Sequence, residues 1–177
     1  MRKLKLDELN RLSPQEFEQL PKHPLVLVLD NIRSLNNVGS AFRTADAFAA
    51  EKIYLCGITG TPPHREIHKS ALGAQETVAW AHAPDVADLC RRLKEEGYQL
   101  LAIEQAEGST QLQQFRPAEG QKYALVFGNE VEGVSEGVMK LADAALEIPQ
   151  WGTKHSLNVS VTMGIVLWSL LEKIYRQ

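Results

Sequence analysis

Two cysteines are all that 177 residues contain, and Cys56 and Cys90 stand far apart with neither in a CxxC pair. That excludes a disulfide framework and a zinc knuckle and makes a reducing, cytoplasmic setting the expected one. GxG occurs nowhere, so the close backbone approach to a pyrophosphate that a Rossmann dinucleotide site needs is missing. The run GNEVEGVS has the glycine spacing of a Walker loop but carries Val134 where the phosphate-binding lysine must stand, which sets an NTPase aside. HREIH puts its glutamate third rather than second, so the zincin arrangement is absent and no metal is expected. The longest uncharged apolar stretch, Ser156 to Leu171, has sixteen residues and includes Asn158 and Ser160, short of the roughly 20 that a membrane span requires. The charged start, MRKLKLDELN, does not read as a secretory signal. Positive charge is not in excess either: a formal net charge of -3 argues against indiscriminate nucleic-acid binding, and DNA is not an expected partner.

What is present is an ordinary globular composition, 44% hydrophobic and 23% charged, on a chain long enough to bury roughly 70% of its unfolded surface. Ser13, Pro14 and Glu16 read as N-cap, first-turn proline and capping-box partner of a short helix ending near Pro21. LVLVLD at 25–30 is a continuous apolar run, the mark of a strand buried on both faces. A helix should follow from about Val38 to Phe48, then strands at KIYLC and ETVAWAH. VADLCRRLKEEG gives a helix closed by Gly97, and YQLLAIE, KYALVF and AALEIP give further strands. LNVSV alternates like a strand, but Met163 to Ile174 favours a helix. Strands alternating with helices predict an α/β fold, a mostly parallel sheet with helices on both faces, in one domain. Residues 1–24 form a short helical extension and 25–177 the main domain.

Ligands of such a sheet sit beyond the carboxyl ends of its strands. Three turns there carry unusual chemistry: DNIRSLNNVGSAFRTADAF, FGNEVEGVS and IPQWGTKHSLNVS. They supply Asn37 and Arg43, Gly128 and Glu130, and Ser156 and Asn158. Gly128 lets a ligand approach the backbone closely. Capping alone also accounts for Asn37 and for the Ser156–Asn158 pair, and Arg43 read alone fits a solvated helix residue. Cations form local groups, Arg2, Lys3 and Lys5, then His64, Arg65, His68 and Lys69, then Lys154 and His155. Beside Arg33 and Arg43, the last two groups would make a basic surface for an RNA strand on a mildly acidic protein; solvated surface charge is the plainer reading of each group taken singly.

The segments NNVGSAFRTADAFAAEKIYLCG, LVFGNEVEGVS and IPQWGTKHSLNVSVTMGIVL resemble the three ordered motifs of the SpoU, or TrmH-type, group of SPOUT RNA methyltransferases, and the likeness runs from about Leu25 to Leu171. Asn, five residues and Arg in that family match Asn37 and Arg43; the glycine and glutamate of its second motif match Gly128 and Glu130; Ser-x-Asn matches Ser156 and Asn158. The resemblance implies a carboxyl-terminal trefoil knot, which breaks the usual rule against knots, and a homodimer. It also implies methyl transfer from S-adenosylmethionine to an RNA ribose 2′-hydroxyl, with the cofactor bent into a pocket formed by Ile103, Gly128, Ile148, Ser156 and Leu157. Arg43 would then grip a phosphate beside the target ribose and lower the hydroxyl's pKa, while Asn37, Glu130, Ser156 and Asn158 hold the arrangement. Arg33, His64, Arg65, His68, Lys69 and Lys154 are the expected RNA contacts.

Because the first 24 residues offer only a short helix and a basic group, the main domain or its dimer is expected to recognise the RNA, favouring a compact target such as a tRNA loop over ribosomal RNA. GIVLWSLL in the last helix is apolar around most of its circumference; either a second copy covers it or it is sunk in its own core. Trp151 is placed either to stack on a base or to pack under its loop. Two other readings stay open, a catalytically silent RNA-binding relative and a sugar or nucleotide enzyme on a flavodoxin-like sheet.

Overall fold

The apolar run at 25–29 splits its side chains between two cores. Leu25, Leu27 and Leu29 point to one and Val26 and Val28 to the other, because successive side chains of a strand leave on opposite faces. All five are at most 1% exposed, and each contributes about 1.5–3 kcal/mol by leaving water, so this strand is the spine of the molecule. A computed structural model describes residues 1–9 and 11–175. After a 3-10 turn at Leu6–Leu9 come α1 (Pro14–Gln19), β1 (His23–Asp30), α2 (Leu35–Ala47), β2 (Ala50–Cys56), α3 (Arg65–Ala71), α4 (Ala74–Thr77) and β3 (Trp80–Ala83). These are followed by α5 (Val86–Glu95), β4 (Tyr98–Ile103), β5 (Thr110–Gln111), β6 (Lys122–Phe127), α6 (Glu136–Leu141), β7 (Ala144–Glu147) and α7 (Val159–Tyr175).

The strands form one sheet in the order β3-β2-β1-β6-β4-β7-β5, and each pairing between them is parallel. Helices α2, α3 and α7 cover the face that holds Leu27 and Leu125. Helices α5 and α6 cover the other, over Val28 and Val126. Burial pushes the thiols of Cys56 and Cys90, both in this second core, up to about 12; they are packing residues, inert as nucleophiles at neutral pH.

The capping box at Ser13 and Glu16 forms as read, and Gly97 follows α5 with φ 88°. Helix α2 starts earlier than expected, at Leu35, because Ser34 rather than Asn37 accepts the free N–H of the first turn. The expected strand at 76–82 is a short helix followed by a strand: Thr77 Oγ1 donates to Asp46 and to the Ala74 carbonyl, holding the turn of α4, and only Trp80–Ala83 reaches the sheet. The segment 157–161 is not a strand, since α7 begins at Val159.

Candidate active site

Register determines which residues meet at the top of the sheet. Leu29 pairs with Phe127, Phe127 with Ile103, and Ile103 with Leu146. The next residue on each of these four neighbouring strands is therefore Asp30, Gly128, Glu104 and Glu147, a rim with three carboxylates and one gap without a side chain. Beyond it lies a hollow of about 670 Å³ lined by Ile103, Gly128, Glu130, Ile148, Ser156, Leu157 and Asn158. Such a volume suits a small-molecule ligand.

The turn after β6 is pinned on three sides. Asn129 and Gly133 exchange backbone hydrogen bonds at 3.0 and 2.9 Å, and the Asn129 amide donates to the Asn31 carbonyl at 2.7 Å. The N–H groups of Val134 and Ser135 donate to Glu104 at 3.0 Å and to the buried Asp30 at 2.8 Å. Gly128 and Gly133 make this possible. A Cβ on Gly128 would stand 2.1 Å from the Gly133 carbonyl carbon and from the Val134 nitrogen, and Gly133 itself has φ 72°, a conformation that glycine adopts without cost.

Glu130 joins this turn to α2. Its carboxylate accepts the N–H groups of Arg33 and Ser34 at 3.0 and 3.1 Å and the amide of Asn37 at 3.0 Å. Asn37, buried on α2, accepts in turn from the Asn158 amide at 3.2 Å. Asn158 meanwhile accepts the Ser160 N–H at 2.9 Å, so the same side chain caps the start of α7 and borders the hollow. One hydrogen-bonded chain thus links all three turns.

The sequence model of the SpoU rRNA methylase family matches residues 24–168. The chain belongs to the SpoU rRNA methylase family. Among similar relatives, the 23S rRNA (guanosine-2'-O-)-methyltransferase RlmB of Neisseria meningitidis is 33% identical over 151 residues, 85% of this chain and 59% of the relative. A tRNA (guanosine(18)-2'-O)-methyltransferase of Thermus thermophilus is 31% identical over 91% of this chain and 81% of its own length. Among solved structures, the AdoMet-bound rRNA methyltransferase of Sinorhizobium meliloti superposes with a TM-score of 0.78 at 30% identity, over 90% of this chain and 60% of that one. The chain therefore spans only about three-fifths of the first of these relatives and of that structure.

The SpoU motif residues are not all in one place. Gly128, Glu130, Ser156 and Asn158 line the hollow, and Asn37 is one hydrogen bond behind it. Arg43 is exposed on α2 and outside the lining; six residues after Asn37, it lies about 9 Å farther along the helix and about 120° around it. Of the expected RNA contacts, Arg33 and Lys154 are exposed at the rim, on segments that bond or line the hollow. Arg65, His68 and Lys69 are exposed on α3, and His64 caps that helix by accepting the Glu66 N–H at 3.2 Å. Among the described residues no cluster of three His, Cys, Asp or Glu could hold a metal. Trp151 is 93% exposed, so it does not pack under its loop. Sequence reading missed Asp30, Glu104, Gln105 and Asn129; the carboxyl ends of β1, β4 and β6 were the only signal that pointed toward them.

Burial alone would raise the Glu130 carboxyl, but the donors from Arg33, Asn37 and Ser34 outweigh it and hold the group below its ordinary 4.5. A depressed carboxylate contributes stability that is fully present above the ordinary value and lost as pH falls through the lowered one. In chemical denaturation from about pH 6 to about pH 3, wild type should exceed Glu130→Gln at the upper end and converge with it at the lower. A gap that stays constant would show that the bonds to the carboxylate add nothing.

Proposed function

We propose that the hollow binds S-adenosylmethionine and that the protein methylates a ribose 2′-hydroxyl of RNA, tRNA in preference to ribosomal RNA. The observation that carries this reading is the hydrogen-bonded chain from Glu130 through Asn37 to Asn158 around a single hollow. The residues present suit that cofactor. Ile103, Leu146, Ile148 and Leu157 offer apolar walls, Gly128 contributes backbone to the lining, and the carboxylates at the rim favour a cation. Bound there, the cofactor supplies a methyl on a sulfonium that is already electrophilic, so the protein's work is positioning and management of one proton. Arg43 takes the phosphate next to the target ribose, by a paired fork of N–H groups. Asn37, Glu130, Ser156 and Asn158 fix the walls against which the ribose rests. Arg33 and Lys154 at the rim, with His64, Arg65, His68 and Lys69 on α3, contact the RNA, and Trp151 is free to stack on a base. A tRNA substrate is supported by the tRNA-modifying relative, 31% identical over 91% of this chain.

Residues 25–177 form the methyltransferase domain and 1–24 a short extension of it. Family membership supports a trefoil knot in the carboxyl-terminal part. Residues 104–121 run from β4 to β6 by way of β5, which pairs with β7 at the sheet edge, and α7 reaches back to them through a bond from Lys173 to the Leu112 carbonyl. A cytoplasmic location agrees with two cysteines left as free thiols, and among the described residues no helix is long and apolar enough to cross a membrane.

A homodimer is supported by α7, where Val161, Ile165 and Trp168 are exposed on one stripe, at the spacing of a single helical face. Sedimentation at micromolar concentration should show a dimer, and Trp168→Asp should weaken it at least about a hundredfold, as loss of a central aromatic anchor does. A wild-type monomer with full activity would refute the interface. The function itself is tested by calorimetry with S-adenosylmethionine and by transfer of tritiated methyl to bulk tRNA and to ribosomal RNA. Cofactor binding and label at ribose oxygens of tRNA are expected; no binding would overturn the reading.

A further inference from the structure

Glu104 and Gln105 follow β4 directly and lie outside all three motifs. Their side chains reach in two directions. Glu104 accepts the Val134 N–H at 3.0 Å and its neighbour Gln105's N–H at 2.9 Å. Gln105 donates from Nε2 to the His155 carbonyl at 2.8 Å, fifty residues away in the chain. One arm thus holds the turn after β6 and the other the loop before α7, the two walls between which the hollow opens. We propose that Glu104 and Gln105 are positioning residues, a two-armed brace that sets the width of the hollow and governs the entry and exit of the cofactor. The proposal rests on the reading of the hollow as a site for S-adenosylmethionine.

The arms differ in strength. Glu104 accepts two N–H groups, one on each carboxyl oxygen, and a Cβ on Gly133 would come within 2.3 Å of its Oε2, so this wall is seated closely and stays fixed. The Gln105 arm is a neutral bond between two exposed residues, and its loop, 151–158, is exposed throughout. Water replaces such a bond at little cost. The loop before α7 is therefore the wall that opens, and Gln105 is its latch.

The test uses the full chain carrying 5-fluorotryptophan at its three tryptophans, Trp80, Trp151 and Trp168. Removal of the latch by Gln105→Ala should sharpen the fluorine resonance of Trp151 in cofactor-free protein and leave those of Trp80 and Trp168 unmoved. It should also raise the dissociation rate of S-adenosylmethionine about tenfold, the loss of one modest bond, while kcat at saturating cofactor stays within about twofold of wild type. Gln105→Arg, which keeps an N–H donor, should restore slow release, whereas Gln105→Glu, which cannot donate, should not. Unchanged release and an unchanged Trp151 signal in Gln105→Ala would overturn the brace even if wild type binds cofactor well. Failure of wild type to bind cofactor would overturn the functional reading instead, and the cofactor-free Trp151 signal would still decide whether the latch exists.

Discussion

Arg43→Ala should fold and bind S-adenosylmethionine as wild type does, yet transfer methyl roughly a hundredfold to a thousandfold more slowly, the usual cost of losing one preorganised donor at developing charge. The separation follows from where the side chain stands. Arg43 is exposed on α2 and outside the residues that line the hollow, and among the described residues its side chain makes no hydrogen bond or ion pair. Removing it should shift stability by no more than about 0.5 kcal/mol. Under the proposed function, the interactions left to its guanidinium are those with RNA. Arg43→Lys keeps the charge but loses the paired fork, so it should recover part of the rate and no more. Single-turnover transfer with saturating cofactor, alongside thermal unfolding, reads both quantities. A variant that methylates at the native rate would remove Arg43 from the chemistry, and one that unfolds would show a structural role that its exposure contradicts.

Whether a feature could be read in the sequence depended on how far away its cause lay along the chain. The spine strand was legible because burial on both faces leaves a continuous apolar run, and α5 because its apolar stripe and the closing Gly97 lie within a dozen residues. The beginning of α2 was misplaced by three residues because two capable caps, Ser34 and Asn37, stand close together and only the fold decides between them. Helix α6 and strand β5 have six and two residues, too few for any period to show. In the site, Gly128, Glu130, Ser156 and Asn158 were found as motif residues. Their anchors were not, since Val134 meets Glu104 across 30 positions and Ser135 meets Asp30 across 105. A carboxylate gives no local sign that it will accept a backbone N–H so far away. Parallel register does: it places Asp30, Gly128, Glu104 and Glu147 side by side on the rim.

At that rim Gly128→Ala is a small change with a large expected effect. The added Cβ would meet the Gly133 carbonyl carbon and the Val134 nitrogen at 2.1 Å and the Gly133 oxygen at 2.5 Å, all of them backbone atoms with no rotamer to change. Relief requires the turn to move, but its two ends are tied by the paired bonds between Asn129 and Gly133 and by Val134 to Glu104. Those bonds must break together, and Val134, 7% exposed in the core beneath α5 and α6, must shift with them. Overpacking of this kind costs about 3 kcal/mol, and the same movement carries the wall into the hollow, so cofactor affinity should fall at least about a hundredfold. Gly137→Ala is the contrast. Its Cβ would meet only the Ala87 methyl at 3.6 Å, an ordinary contact, from within α6, where exchanging glycine for alanine stabilises a helix by about 0.5–1 kcal/mol. One methylene added nine residues apart should therefore move the midpoint of thermal unfolding in opposite directions, and only the first should abolish binding in calorimetry. If Gly128→Ala binds S-adenosylmethionine normally, the turn after β6 is not a wall of the cofactor site, and the site must be sought elsewhere on the sheet.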